Sequence, residues 1–343
     1  ALASLRYFYE KYPAIPIIAA GSLLDFLLQN ENISVPVGRI EFYFLGPVTF
    51  SDFLLAKDKL LLIEEFNLKP GKISEKGHEL LLSEWQNYLS VGGMPESVQA
   101  DIDGKDIFSI RKIQKNILNT YRADFLKYSR GSQALRCEDV LNYLPGHLGQ
   151  KVKYSNINPN ERAPNLKYAI HLLALARVIL PVIHTNATSI PLKSVADESI
   201  LKLFHLDCGL VNSELQFLGL PDLESPLQGT IKEQFVAQHL AYLDPSSNPQ
   251  LFYWLQDKSA NKAEVDFVYS MEGPQGGEII PIEVKSGRKV KSRSLSELFA
   301  SNNKIRRAIK FSPGTFGKKS LEKGTLYEIP IYLVERTNEI LNI

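Results

Sequence analysis

Ala263-Glu-Val-Asp-Phe-Val-Tyr269 and, after a turn rich in Gly and Pro, Ile279-Ile-Pro-Ile-Glu-Val-Lys-Ser-Gly287 decide how this chain is read. Their apolar density predicts two central strands. Side chains of a strand alternate between faces, so Ile280, Ile282 and Val284 share one face and Glu283 and Lys285 the other. On the preceding strand Asp266 is expected opposite Val265 and Phe267. If the strands pair with their charged residues on one side, Asp266, Glu283 and Lys285 converge. Charges on a central strand are expensive unless they are paired or bind metal. Two carboxylates can hold a divalent cation such as Mg²⁺ through hard oxygen ligands. A lysine beside them can steady an attacking water or a developing negative charge. A salt bridge of Lys285 with Asp266 or Glu283 on a half-exposed strand explains the same spacing, and spacing alone does not separate the two.

The flanking sequence tilts the choice. Glu233, on a predicted helix Gly229–Tyr242, could add a third carboxylate. From Lys285 to Lys323 there are twelve Lys or Arg residues, Arg288, Lys289, Lys291 and Arg293 among them, against two acids, Glu297 and Glu322. A basic stretch beginning at a metal site suits a polyanion such as DNA. The predicted elements run helix Gly229–Tyr242, strands Leu251–Leu255, Glu264–Ser270 and Ile279–Lys285, helix Ser294–Ala300, and strands Arg307–Ser312 and Ile331–Val334. That is an α-β-β-β-α-β order with one further strand, over a region 199–343.

Upstream, residues 131–198 predict helices over Cys137–Leu144 and Leu166–Arg177, then short strands over Val178–His184 and Ile190–Lys193. Helices followed by a two-stranded ribbon are the order of a winged-helix module, whose third helix can enter a DNA major groove. Lys167, His171 and Arg177 give that helix a weakly basic face, with Lys167 and Arg177 the expected DNA contacts; a packing or protein-contact role is the alternative. Residues 58–130 read as helices, interrupted at Val91-Gly-Gly-Met-Pro-Glu96. Residues 1–57 read as helix Leu2–Tyr12, strand Ile15–Ala20, helix Leu23–Gln29, strand Ile40–Leu45 and a helix capped by Thr49. That is an α/β pattern in which part of the sheet is missing.

The 343 residues suffice for two or three domains. A hydrophobic content of 44% and a charged content of 22% suit a soluble globular chain. Cys137 and Cys208 match no zinc spacing and read as buried thiols of a cytoplasmic protein. No apolar run approaches the ~18 residues of a membrane span, so a membrane is not an expected partner. The six histidines are scattered without ligand spacing. Asp207 is expected to cap a helix near Gly209 rather than to bind metal.

The chain resembles prokaryotic AAA-type ATPases that carry a C-terminal domain of unknown function with a PD-(D/E)xK nuclease-like core. The resemblance rests on the order of Ile17-Ile-Ala-Ala-Gly-Ser-Leu23, Val37-Gly-Arg-Ile40, Leu45-Gly-Pro-Val-Thr-Phe-Ser-Asp-Phe-Leu54, Gly92-Gly-Met-Pro-Glu96, Asp124-Phe-Leu-Lys-Tyr128, Phe204-His-Leu-Asp-Cys-Gly-Leu210, Gly229-Thr-Ile-Lys-Glu-Gln-Phe-Val-Ala237, Tyr253-Trp254, Glu264-Val-Asp-Phe-Val268 and Ile282-Glu-Val-Lys-Ser-Gly287. It implies an α/β plus α chain. Residues 1–57 would be the end of the ATPase core, 58–130 a helical lid or linker, 131–198 the winged-helix-like module and 199–343 a restriction-endonuclease-like domain. It implies Asp266 and Glu283 as metal ligands, Lys285 as the catalytic lysine and Glu233 as an accessory carboxylate. Ser22 would stand near a nucleotide's terminal phosphate. Arg39 would serve a phosphate or a neighbouring subunit, which makes a homo-oligomer an expected assembly.

Two departures bear on this. No Gly-x4-Gly-Lys-Ser/Thr loop occurs; Ser312-Pro-Gly-Thr-Phe-Gly-Lys-Lys-Ser320 lacks the first Gly and has Lys where Ser or Thr belongs. Without that loop the phosphates have no backbone cradle. ATP hydrolysis is therefore not expected of this chain, and ATP would be a cofactor only with a segment outside it. The residue before Asp266 is Val rather than Pro, a common variation in the nuclease superfamily. The expectation is a DNA-directed, ATPase-linked protein with a metal-dependent nuclease-like domain. The alternative is a non-catalytic nucleic-acid-binding or assembly module.

Overall fold

The computed structural model describes residues 2–21, 38–128, 131–215, 226–258, 261–271, 277–285, 293–302 and 304–342. The helix expected over Leu23–Gln29, and Ser22 with it, lies outside them. Leu2–Lys11 forms helix α1. The apolar runs Ile15–Ala20 and Ile40–Leu45 form no strands. Ile18 and Leu45 are almost fully exposed. A run becomes a strand only where a neighbour offers backbone partners.

From Thr49 the chain is well packed. Thr49 accepts a hydrogen bond from Asp52 N at 3.2 Å and caps α2, Phe50–Ala56. Thr49→Ala is expected to lower stability by about 1 kcal/mol in urea denaturation, the usual worth of such a cap. Helices α3 (Leu60–Asn67), α4 (Glu75–Val91), α5 (Pro95–Ile102), α6 (Ile107–Tyr128), α7 (Ser132–Tyr143), α8 (Tyr154–Ile157) and α9 (Ala163–Leu175) follow. Strand β1 (Ile179–Thr185) leads through a 3-10 turn, Leu192–Val195, to β2 (Ala196–His205) and α10 (Cys208–Glu214). The second strand thus begins after Ile190–Lys193, where Pro191 supplies no amide hydrogen to a ladder.

Helix α11 (Pro226–Ala241) opens the C-terminal region. It continues with β3 (Leu251–Lys258), β4 (Asn261–Met271), β5 (Glu278–Val284), α12 (Arg293–Ser301), β6 (Arg307–Ser312), β7 (Gly317–Leu321), β8 (Gly324–Pro330) and α13 (Thr337–Leu341). Residues Ile331–Val334, expected as a strand, fall within a 3-10 helix, Ile331–Arg336, instead. The strand role falls to the hairpin β7–β8 just before it.

All strands join one mixed sheet, ordered β2-β1-β3-β4-β5-β6-β8-β7. The ribbon expected as a separate wing is therefore part of this sheet. β1 runs parallel to β3, with Val182 opposite Leu251 and His184 opposite Tyr253. A boundary at 198/199 would cut through β2. Buried apolar surface explains the arrangement. Val182, Leu201 and Leu203 pack into the same core as Phe235, Val236, Phe267 and Ile282. A detached two-stranded wing would leave that face in water, and an isolated hairpin is marginal at best. Helix α11 packs along β1, β2, β3 and β5, while α12 covers β4 from a second core containing Val265, Leu295 and Leu298.

Candidate active site

The site begins with an irregularity in β4. Between Phe252↔Val268 and Trp254↔Val265, β3 advances two residues and β4 three. The extra residue is a β-bulge at Asp266 and Phe267. It corrects the simple alternation: Val265 enters the α12-side core and Phe267 the α11-side core. On β5, which lacks a bulge, Ile280, Ile282 and Val284 share one core as expected.

β4 and β5 pair antiparallel as far as Phe267↔Ile282 and then part. Beyond that point β5 stays with β6, through Glu283↔Lys310 and Val284↔Phe311. Asp266 sits at the split. Its Oδ2 accepts a hydrogen bond from Val284 N at 2.7 Å, replacing a missing strand–strand bond. Glu283 is buried, and its Oε2 pairs with Lys285 Nζ at 3.3 Å. The facing Lys310 is committed instead to Glu328 at 2.9 Å.

Electrostatics tie the group together. Burial raises the Asp266 carboxyl above the ordinary range, opposed by the ammonium groups of Lys202 and Lys285. Glu233 is pushed to about 8, first by burial and then by the neighbouring Asp266 charge. Lys285 is raised: burial works against its charge, and Asp266 and Glu283 more than offset it. Asp266, Glu283, Lys285 and Glu233 therefore interact as one electrostatic cluster. A stability profile should register it. The folded-state value of Glu233 exceeds the unfolded one, so its contribution is present at low pH and lost as pH rises toward about 8. Glu233→Gln is expected to flatten that part of the pH–stability curve in urea denaturation of metal-free protein.

Lys202, which the sequence reading missed, belongs to the same cluster. It is only 2% exposed on β2, pairs with Glu264 and lies 4.8 Å from the centre of the Tyr253 ring. Its ammonium is held charged against burial by Glu264, Glu233 and Asp266. A single lysine inside the apolar run Ile200-Leu-Lys-Leu-Phe204 was the available signal.

The fit to a cation can be judged from the donors. Among the described residues no group of three or more His, Cys, Asp and Glu side chains is placed to hold a metal ion. Mg²⁺ does not need one, since it usually keeps several waters and takes one or two carboxylates. Asp266 and Glu283 are the two that such a cation would take here.

The other expected site residues do not gather here. Arg39 pairs with Glu10 of α1 at 3.2 Å. Lys167 is exposed on α9. Arg177 lies beyond the end of α9 with φ 59°, its guanidinium 4.4 Å from the Phe44 ring centre and donating to Asn248. The helix therefore does not present it as a groove-reading side chain. Arg288, Lys289 and Lys291 fall outside the described residues; Arg293 begins α12. The downstream basic stretch is not one free face. Arg307 is bound to Glu278, and Lys310 and Lys319 both reach Glu328. Asp207 caps α10, accepting from Leu210 N at 3.1 Å, as expected.

Comparison with known proteins gives two family matches. A family described as a domain of unknown function (DUF8612) matches residues 82–222, and another (DUF4143) matches residues 228–333. The second is a domain found in AAA-ATPase-associated proteins. No curated protein and no solved structure matches the chain. The two matches meet inside one sheet: β1 and β2 come from the first, β3 to β8 from the second. No helix among the described residues is long and apolar enough to cross a membrane.

Proposed function

We propose that the cluster at the β4–β5 split is a Mg²⁺-dependent phosphodiesterase site acting on nucleic acid, in a protein linked to an AAA-type ATPase. The observation that carries this reading is the buried Glu283 carboxylate, paired at Oε2 with Lys285 and set beside Asp266 where the two strands part. Asp266 and Glu283 would hold the cation. When bound, the ion supplies Lewis-acid stabilisation of charge on the phosphoryl oxygens. Lys285 would orient the attacking water through its ammonium. In the reaction the water oxygen bonds to phosphorus, the ester P–O bond breaks, the leaving oxygen takes up a proton, and the water's own proton passes to solvent. Glu233, whose carboxyl is raised by burial and by Asp266, would stand as the accessory carboxylate of the cluster. Catalysis is favoured over the non-catalytic module because a buried cluster of charged groups adds little net stability by itself.

The test is incubation of the full chain with Mg²⁺ or Mn²⁺ and single- or double-stranded DNA, beside Asp266→Ala and Lys285→Ala. Cleavage by the wild type alone supports the assignment. Equal cleavage by all three proteins, or none by any, removes it.

A further inference from the structure

Lys202 has no role in the site as described so far, yet it is placed at considerable cost. A lysine is almost never fully buried unless paired, and a buried ion pair adds little net stability. Its ion-pair partner among the described residues, Glu264, is not itself buried: the Glu264 side chain is 41% exposed. The Lys202 ammonium lies over the Tyr253 ring and is attracted by the charges of Glu233 and Asp266. Asp266 thus interacts with two lysines, Lys285, which follows β5, and Lys202 of β2. Removing the Glu264 carboxylate from the ammonium would present a second cation beside Asp266.

We infer that Lys202 is a phosphate-contacting residue of this site and that Glu264 covers it until a nucleic-acid phosphate takes the carboxylate's place. The inference rests on the nuclease reading above, and it makes the β2 segment part of the substrate surface. A phosphate oxygen and a carboxylate oxygen are interchangeable partners for an ammonium group. Exchange therefore leaves Lys202 satisfied, and Glu264 is near enough to solvent to swing away.

The experiment measures binding of a fluorescein-labelled DNA duplex by anisotropy, with Ca²⁺ in place of Mg²⁺, over a series of salt concentrations. Glu264→Gln is expected to tighten binding about tenfold at low salt and to steepen the log K against log salt slope by about one unit, the signature of one added phosphate contact. In a Lys202→Met background the same substitution should change neither. An unchanged slope in Glu264→Gln overturns the inference, as does a gain that persists without Lys202, which would reflect loss of a negative charge alone. If Lys202→Met does not fold, the Glu264→Gln slope still decides. Failure of the nuclease reading shows separately, as equal cleavage by wild type and Asp266→Ala.

Discussion

Asp266→Asn is expected to abolish Mg²⁺-dependent cleavage while leaving the metal-free protein as stable as the wild type or more so. The loss should be at least the roughly 10²–10³-fold that follows removal of a single charge-stabilising group from an active site, the loss also expected of Lys285→Ala. The stability half of the prediction separates function from structure. Burial holds the Asp266 carboxyl above its ordinary range in spite of two nearby lysines. A carboxyl raised on folding contributes stability at low pH that is lost as pH climbs through its folded value. Asn removes that loss, and its side-chain oxygen can still accept from Val284 N. Lys285 keeps Glu283, and Lys202 keeps Glu264. The advantage of the variant should therefore grow from pH 5 to pH 8 in parallel urea titrations. If the group were a structural salt bridge, Asp266→Asn would instead lower stability, most at high pH. Either a stability loss of that form or retained cleavage would count against the site.

What was legible in the sequence follows from what each element depends on. β5 could be read residue by residue because its alternation is unbroken: Ile280, Ile282 and Val284 go to one core and Glu283 and Lys285 to the other face. β4 could be located but its faces were misassigned, since a bulge is a property of the pair of strands and Val265–Phe267 alone carries no mark of it. Caps were legible for the same local reason as β5; Thr49 and Asp207 both accept from the amide three residues on. Sheet membership was not. Whether β1 and β2 form a wing or an edge depends on the parallel pairing of Val182–His184 with Leu251–Tyr253, about 70 residues away. Lys202 was missed with them, because its partners Glu264 and Tyr253 come from that distant half. The strands expected over Ile15–Ala20 and Ile40–Leu45 failed for the converse reason: apolar content was right, but among the described residues neither run joins a strand ladder, and Phe44 N makes only an isolated bond to Pro245 O at 2.8 Å.

Asp207→Ala is expected to cost about 2–6 kcal/mol, although Asp207 is not among the residues of the proposed catalytic site. The sequence motifs around Gly92-Gly-Met-Pro-Glu and His205-Leu-Asp-Cys-Gly meet at this residue. Helix α4 ends at Gly92 with φ 77°, where an added Cβ would lie 2.2 Å from Asp207 Oδ1. Gly93 N donates to Asp207 Oδ2 at 2.6 Å, and Leu210 N donates to Oδ1 at 3.1 Å. From α11, Gln238 reaches the same Oδ2 at 3.4 Å, while its Oε1 accepts from Cys208 N at 3.0 Å. One fully buried carboxylate therefore locks the end of α4, the start of α10 and the middle of α11. Truncation strands two buried amide donors, Gly93 N and the capped Leu210 N, at about 1–3 kcal/mol each. The carboxylate carries its own cost, since burial raises it to about 6. Its folded value lies above the unfolded one near 3.8, so its contribution is largest in acid and declines as pH rises through about 6. The gap between wild type and Asp207→Ala in urea denaturation should be wider at pH 5 than at pH 8. A gap that is small at both would mean that water enters the joint and satisfies the exposed amides. The two motifs would then owe their pairing to glycine packing alone, with Gly92 and Gly209 rather than Asp207 setting how closely α4 and α10 approach.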